Sequence, residues 1–257
     1  MRIPCVVLAV FLQDVGLYNL VTAKMAAAAA QESTAAAVEQ SKWVALADDV
    51  SLQAWRQPTG EWAIVGNAWQ SSEDPKRLTT KPGRGVLVNG LTGKTTDILS
   101  RSEHKDVELH VEFMVPQGSN SGIYFQSRYE IQIIDSWGKK APTSGDCGGI
   151  YERWKDGRGF EGHAPKVNAS RPPGKWQSFD VLFRAPRFNS KGEKVASARF
   201  IKVVHNGQTI HENVEVHGPT RASSFDDEKS AGPLMLQGDH GPVAFRNLRL
   251  RHIQSRD

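Results

Sequence analysis

Between Asp106 and Val115 apolar and polar residues alternate almost without a break, and no other feature constrains the fold as strongly. Val107, Leu109, Val111, Phe113 and Val115 fall on one face of an extended chain, and Glu108, His110 and Glu112 on the other. Successive side chains of a strand point to opposite faces, so this is the pattern of a strand with one face in a core. It recurs in shorter form. In Gly122–Gln126, Ile123 and Phe125 oppose Tyr124 and Gln126, and in Tyr129–Asp135, Ile131 and Ile133 oppose Glu130 and Gln132. Phe179, Val181 and Phe183 alternate next, and Arg199–His205 meets Asn206-Gly207, a two-residue hairpin signal, before Gln208–His211 returns. Leu234–Gln237 and Val243–His252 close the series. From Trp43 onward no stretch of ten or more residues shows a 3.6-residue period. Many short strands with one apolar face predict an all-β fold, a two-sheet antiparallel jelly-roll sandwich.

Length and composition agree with one such domain. The 257 residues lie close to the range of single all-β domains, and 39% hydrophobic with 23% charged residues suits a globular chain. The net charge is +4, with 32 basic and 28 acidic residues interleaved and no Lys/Arg block, which argues against a nucleic-acid partner. No stretch reaches 18 apolar residues, so no helical membrane span is expected.

Residues 1–40 differ in composition. Arg2 precedes a short apolar run from Cys5 to Leu12, and small residues around Val21-Thr22-Ala23 and Ala26–Ala30 follow. This reads as a signal peptide or leader and an Ala-rich linker, giving a periplasmic or secreted protein, unless Met25 is the true start. The domain is expected over residues 41–253. Cys147, in Gly145-Asp-Cys-Gly-Gly149, reads as a small residue of a tight loop, with no local basic partner to activate it.

Two apparent motifs fail. Gly90-Leu-Thr-Gly-Lys94-Thr-Thr lacks the upstream glycine and the helix of a phosphate loop. His211-Glu-Asn-Val-Glu-Val-His217 has the wrong spacing for a zinc-protease helix and follows a hairpin turn.

The polar residues of three neighbouring segments form an unusual set: Glu108, His110, Glu112, Tyr124, Gln126, Glu130 and Gln132. Carboxylates and amides bond sugar hydroxyls, and rings stack on a sugar's C–H face, so a shared face of this kind suits a sugar. Asn120, before Gly122, adds an amide at a strand entry where a glycine allows close approach. The same residues read otherwise as ordinary exposed strand positions.

Two longer stretches carry a family resemblance. One is Gly118-Ser-Asn-Ser-Gly122-Ile-Tyr-Phe-Gln126 followed by Tyr129-Glu-Ile-Gln-Ile-Ile-Asp135. The other is Gly232-Pro-Leu-Met-Leu-Gln237-Gly-Asp-His240-Gly-Pro-Val-Ala-Phe245-Arg-Asn-Leu-Arg-Leu-Arg251. With Gly148-Gly-Ile-Tyr151 and Gly174-Lys-Trp176, they resemble the 3-keto-disaccharide hydrolase family from about Trp43 to His252. One departure is visible: Gly238-Asp239 separates Gln237 from His240, one residue more than the family's usual spacing. The resemblance implies a concanavalin A-like jelly roll and a hydrolase for sugars whose C3 hydroxyl has been oxidised to a ketone. It also implies an oxidoreductase acting beforehand.

Such a reaction needs a base, an acid and support for an enolate. Glu130, Glu112 and His110 are the candidate catalytic groups, with Asn120, Tyr124, Gln126, Gln132, Gln237 and His240 as candidate substrate contacts. His110, Glu112, Glu130 and His240 combine nitrogen and oxygen donors suited to a divalent metal ion. No compact ligand motif supports a metal, and metal-free chemistry stands beside it. The competing class is a non-catalytic, lectin-like carbohydrate-binding module, since the fold type does not fix function. Arg246 and Asn247 are expected to anchor the last strand.

Overall fold

The computed structural model describes residues 42–47 and 51–253; the leader, the linker and their cleavage site lie outside the described residues. Among those described there are strands and no helix. In chain order they are β1 (Val44–Ala45), β2 (Ala63–Gln70), β3 (Leu78–Val88), β4 (Ile98–His104), β5 (Val107–Met114), β6 (Asn120–Phe125), β7 (Tyr129–Ile134) and β8 (Arg153–Lys155). Then follow β9 (Arg158–Phe160), β10 (Gln177–Arg184), β11 (Arg187–Phe188), β12 (Lys194–Ala196), β13 (Ala198–His205), β14 (Gln208–Val216), β15 (Gly232–Leu236) and β16 (Ala244–His252).

The strands form a two-sheet antiparallel jelly roll. The large sheet runs β14-β13-β10-β5-β16-β3-β2, with β1 beside β16, and the small sheet runs β4-β15-β6-β7. The hairpins β8–β9 and β11–β12 stand apart. One core lies between the two sheets. The large sheet contributes Val107, Leu109, Val111 and Phe113 of β5, Phe179, Val181 and Phe183 of β10, and Phe245, Leu248 and Leu250 of β16. The small sheet contributes Ile123 and Phe125 of β6, Tyr129, Ile131 and Ile133 of β7, and Leu234 and Leu236 of β15. Full burial of a Phe or Ile contributes about 1.5–3 kcal/mol, so every alternating strand is held with its apolar face inward.

Local chemistry sets the turns and irregularities. Asn206 and Gly207 join β13 to β14 with φ of 50° and 82°, the left-handed pair that a tight hairpin needs. In β16 the register shifts between Arg246 and Arg249, and Asn247 takes φ 49°. This bulge lets Phe245 and Leu248 both face inward although they lie three positions apart.

The β6–β7 hairpin turns through Gln126 and Ser127, both left-handed at φ 53° and 55°. It is locked by polar contacts rather than by glycine. The Gln126 side-chain amide donates to the carbonyls of His104 and Ser230, and the Gln126 N–H donates to His104 Nε2. Burial pulls the His104 pKa down to about 4, which keeps that nitrogen an acceptor.

Candidate functional site

Chain parity and sheet register together place one compact set of polar groups on the outer face of the small sheet. On β7, Ile131 and Ile133 point into the core, so Glu130 and Gln132 point away from it. On β6 the same rule puts Asn120, Gly122 and Tyr124 on that face. Tyr124 lies opposite Glu130 and Gly122 opposite Gln132. Met235 pairs with Tyr124, and the Gln237 N–H donates to the Gly122 carbonyl at 3.0 Å, which brings Gln237 beside Gly122. On the next strand Leu236 pairs with Ile98. Asp97 therefore stands at the end of β4 next to Gln237, and its Oδ1 accepts from the Gly238 N–H at 2.8 Å.

Gly122 makes room for the acid. A methyl group there would sit 2.3 Å from Glu130 Oε1 and 3.0 Å from the Tyr124 ring. The sequence motif suggested that this glycine brings backbone to a ligand, whereas the structure uses it to seat a carboxyl.

Glu130 is 2% exposed and forms no ion pair among the described residues. Burial pushes its pKa up to about 8; the hydrogen bond with the Tyr124 phenol opposes the shift, and the Asp97 charge adds to it. Burial also raises the Asp97 pKa, opposed by the Gly238 N–H, while Asp239 adds to it and His240 counters it. The Tyr124 phenol is raised well above its ordinary value by burial and then by Glu130. A carboxyl that stays protonated near neutral pH, in a dry and fixed setting, can give or take a proton there. Next to it, Gln132 Oε1 and Asn120 Oδ1 are buried without a hydrogen-bond partner. Buried acceptors are rarely left unmade, and these two would take donors such as sugar hydroxyls.

Asn120, Tyr124, Glu130, Gln132 and Gln237 are thus brought together. His240 lies at the β4 end of the same face, exposed, with its Nδ1 bonded to the Asp239 carboxylate and its charge felt by Asp97. Three sequence expectations need correction. Glu112 and His110 are on β5, in the large sheet, and the core separates them from Glu130. Glu112 is fully engaged: Arg246 Nε donates at 2.7 Å and Asn247 Nδ2 at 2.5 Å, so these two residues do anchor β16. His110 Nδ1 bonds Asp180 at 2.6 Å. Gln126, finally, is the lock of the hairpin turn. The metal set fails with them, because His110, Glu112, Glu130 and His240 do not converge. Among the described residues no group of three or more His, Cys, Asp or Glu side chains is gathered to hold an ion.

Sequence reasoning missed Asp97 and Tyr151. Asp97 follows a turn with no alternation to mark its face. Tyr151 reaches the site because the segment after Cys147 runs alongside β7: Ile150 bridges Ile131, and the Tyr151 N–H donates to the Glu130 carbonyl. Burial, then Glu130, raises the Tyr151 pKa, and the Arg221 guanidinium opposes the shift. The quoted Gly148-Gly-Ile-Tyr151 was the available signal. Cys147 is buried, and burial lifts its thiol to about 12, which keeps it protonated near neutral pH.

Residues 42–251 match the model of one protein family, described as the 3-keto-alpha-glucoside-1,2-lyase-like domain. Among solved structures the chain resembles a candidate glycosyl hydrolase from Parabacteroides distasonis. The two are 27% identical with a TM-score of 0.61, over 82% of this chain and 84% of that one. A second candidate glycosyl hydrolase of that organism is 21% identical with a TM-score of 0.53, over 82% of this chain and 100% of the other; at that identity the likeness shows the fold alone. No curated protein is significantly similar to the chain.

Proposed function

The chain belongs to the 3-keto-alpha-glucoside-1,2-lyase-like family, a family of glycoside-acting enzymes, and on that premise we propose that it cleaves glycosidic bonds of 3-keto-sugars, with Glu130 as the proton-transfer group. The observation that carries this reading is the buried Glu130 carboxyl, without an ion pair among the described residues, raised to about 8 and flanked by orphaned amide oxygens.

The chemistry follows from the ketone. A C3 carbonyl acidifies the C2 proton. A base removes it, and the electron pair of the C2–H bond passes into an enolate. That pair then forms the C1–C2 double bond as the C1–O bond breaks, and the leaving oxygen takes a proton. Water adds back across the double bond, a proton to C2 and hydroxyl to C1, so the sum is hydrolysis. Glu130 enters protonated near neutral pH and supplies the proton for the leaving oxygen. His240, exposed and oriented by Asp239 through Nδ1, is the second candidate for proton transfer. Gln132, Asn120 and Gln237 bind the sugar's hydroxyls.

A ketone at C3 implies a sugar oxidoreductase acting first, and we place both steps outside the cytoplasm, in the periplasm or the medium, in keeping with the leader-like first 40 residues.

Purified protein incubated with a 3-keto-disaccharide and with the ordinary disaccharide tests the reading. Cleavage of the keto form alone is expected. Binding of both with cleavage of neither would replace the enzyme by a lectin-like module. Glu130→Gln should keep the fold and lower kcat by about 10²–10⁴.

A further inference from the structure

The face that holds Glu130 continues past Tyr151 into an open cleft of about 480 Å³, whose walls include Arg153, Trp154, Lys155, Phe160, Arg221 and Asp226. It is bounded by the β8–β9 hairpin and by residues 219–226. The cleft is physically tied to the buried acid. Thr220 Oγ1 accepts from the Glu130 N–H at 3.1 Å, and the Tyr124 hydroxyl donates to the Arg221 carbonyl at 3.4 Å.

The cations around this cleft are not equivalent. Arg153 is neutralised by Glu161 at 2.9 Å and lies over the Phe160 ring. Arg221 is exposed, stacks 3.7 Å from the centroid of the exposed Trp154 ring, and forms no ion pair among the described residues. Stacking holds the guanidinium plane; part of it bonds the Tyr151 phenol, and its remaining N–H groups enter no ion pair among the described residues. A planar fork fixed in this way matches a carboxylate bidentately, which a lysine would not. Exposed aromatic rings such as Trp154 also offer the flat surface on which a sugar or aromatic ring rests.

The two halves of the extended face therefore differ in chemistry. Around Glu130 the groups are amides and phenols, suited to neutral hydroxyls. Beyond Tyr151 the lining groups are a stacked arginine, further basic side chains and Asp226, with Glu161 held on Arg153. We propose that the cleft beyond Tyr151 receives the leaving group of the substrate and selects one bearing a carboxylate, such as a uronic acid residue, gripped by Arg221 and rested on Trp154. The inference rests on the reading of Glu130 as the site of bond cleavage, because it is the leaving oxygen that must lie between the two halves.

Isothermal calorimetry on the full chain tests it, with a glucosyl-glucuronic acid and its neutral glucosyl-glucose counterpart as probes. The acid should bind about tenfold tighter, and the preference should weaken at 0.5 M salt, because a half-exposed charge pair is screened. Arg221→Met should abolish the preference and Arg221→Lys restore only part of it. Arg158→Met, which removes an exposed cation outside this cleft, should leave it intact. Equal affinities, a preference that survives Arg221→Met, or no binding of either probe would overturn the proposal. Cleavage of neutral 3-keto-disaccharides is scored separately. If it occurs without a carboxylate preference, the acidic subsite falls and the hydrolase reading stands. If the preference is present and no keto-sugar is cleaved, the hydrolase reading falls and takes the leaving-group role with it, leaving a carboxylate-binding cleft alone.

Discussion

Glu112 and Glu130 are the same residue type, both on the outward face of a β-strand, and their settings are opposite. Glu112 faces outward from the large sheet, where burial raises its pKa but the hydrogen bonds from Asn247 and Arg246 outweigh this and hold it below the usual range. Its neighbours follow suit: Arg251 Nε donates to Glu108 at 2.7 Å, and His110 meets Asp180. That surface is a sheet of paired charges. On the small sheet, Glu130 is buried, forms no ion pair among the described residues and has its pKa pushed up to about 8. The contrast teaches that a carboxylate prepared for chemistry is recognised by what fails to neutralise it. Such a group lowers stability at working pH, and the fold tolerates it because Ile131 and Ile133 anchor the strand behind it.

The sharpest way to break this comparison is to replace each carboxyl by an amide and measure turnover. Glu130→Gln should reduce kcat by at least a hundredfold, whereas Glu112→Gln should leave kcat/KM within about twofold. Equal losses would mean that the large-sheet surface takes part after all.

Gly122→Ala perturbs Glu130 without touching its chemistry. The added methyl must displace a carboxyl only 2.3 Å away. Activity should fall about 10–100-fold, with a stability loss of about 1–3 kcal/mol from overpacking. Full activity would show that the position of the carboxyl is not critical.

Stability against pH separates the two glutamates by sign. The folded pKa of Glu130 lies above its unfolded value. Its favourable contribution is therefore complete below about pH 4.5 and is lost as pH rises toward 8. Glu130→Gln should thus gain stability over wild type between pH 5 and 8, on the order of 2–4 kcal/mol at the upper end, at about 1.4 kcal/mol per pKa unit. Denaturant midpoints at several pH values measure it; a constant difference would mean that Glu130 is ionised in the fold.

Glu112 runs the other way, since its folded pKa is lowered. Its contribution is present above the unfolded carboxylate pKa and disappears as pH falls through the acid range. Glu112 is partly exposed and its ion pair with Arg246 is screened by solvent, so Glu112→Gln should cost less than about 1 kcal/mol at pH 7 and nothing below pH 3. A cost independent of pH would assign the effect to packing rather than charge.

What the sequence determined by itself was the parity of each strand. Apart from Gln126, which the hairpin turn takes, alternation in Asp106–Val115, Gly122–Gln126 and Tyr129–Asp135 separates core side chains from outward ones, because burial of the apolar face outweighs other local preferences. With the Asn206-Gly207 hairpin it yields an all-β sandwich, and the quoted motifs identify the family. Parity cannot say which sheet a strand joins. Between β5 and β6 the chain passes from the large sheet to the small one through residues 115–119, so Glu112 and Tyr124, twelve residues apart, lie on the outer faces of different sheets. Only the tertiary structure decided that. It also placed Asp97 and Tyr151 beside Glu130, through the pairing of β4 with β15 and of Ile150 with Ile131. The physical reason is that pairing across a sheet joins residues distant in the chain. The position of a charge relative to a partner, which sets its pKa, is fixed there rather than within any one strand.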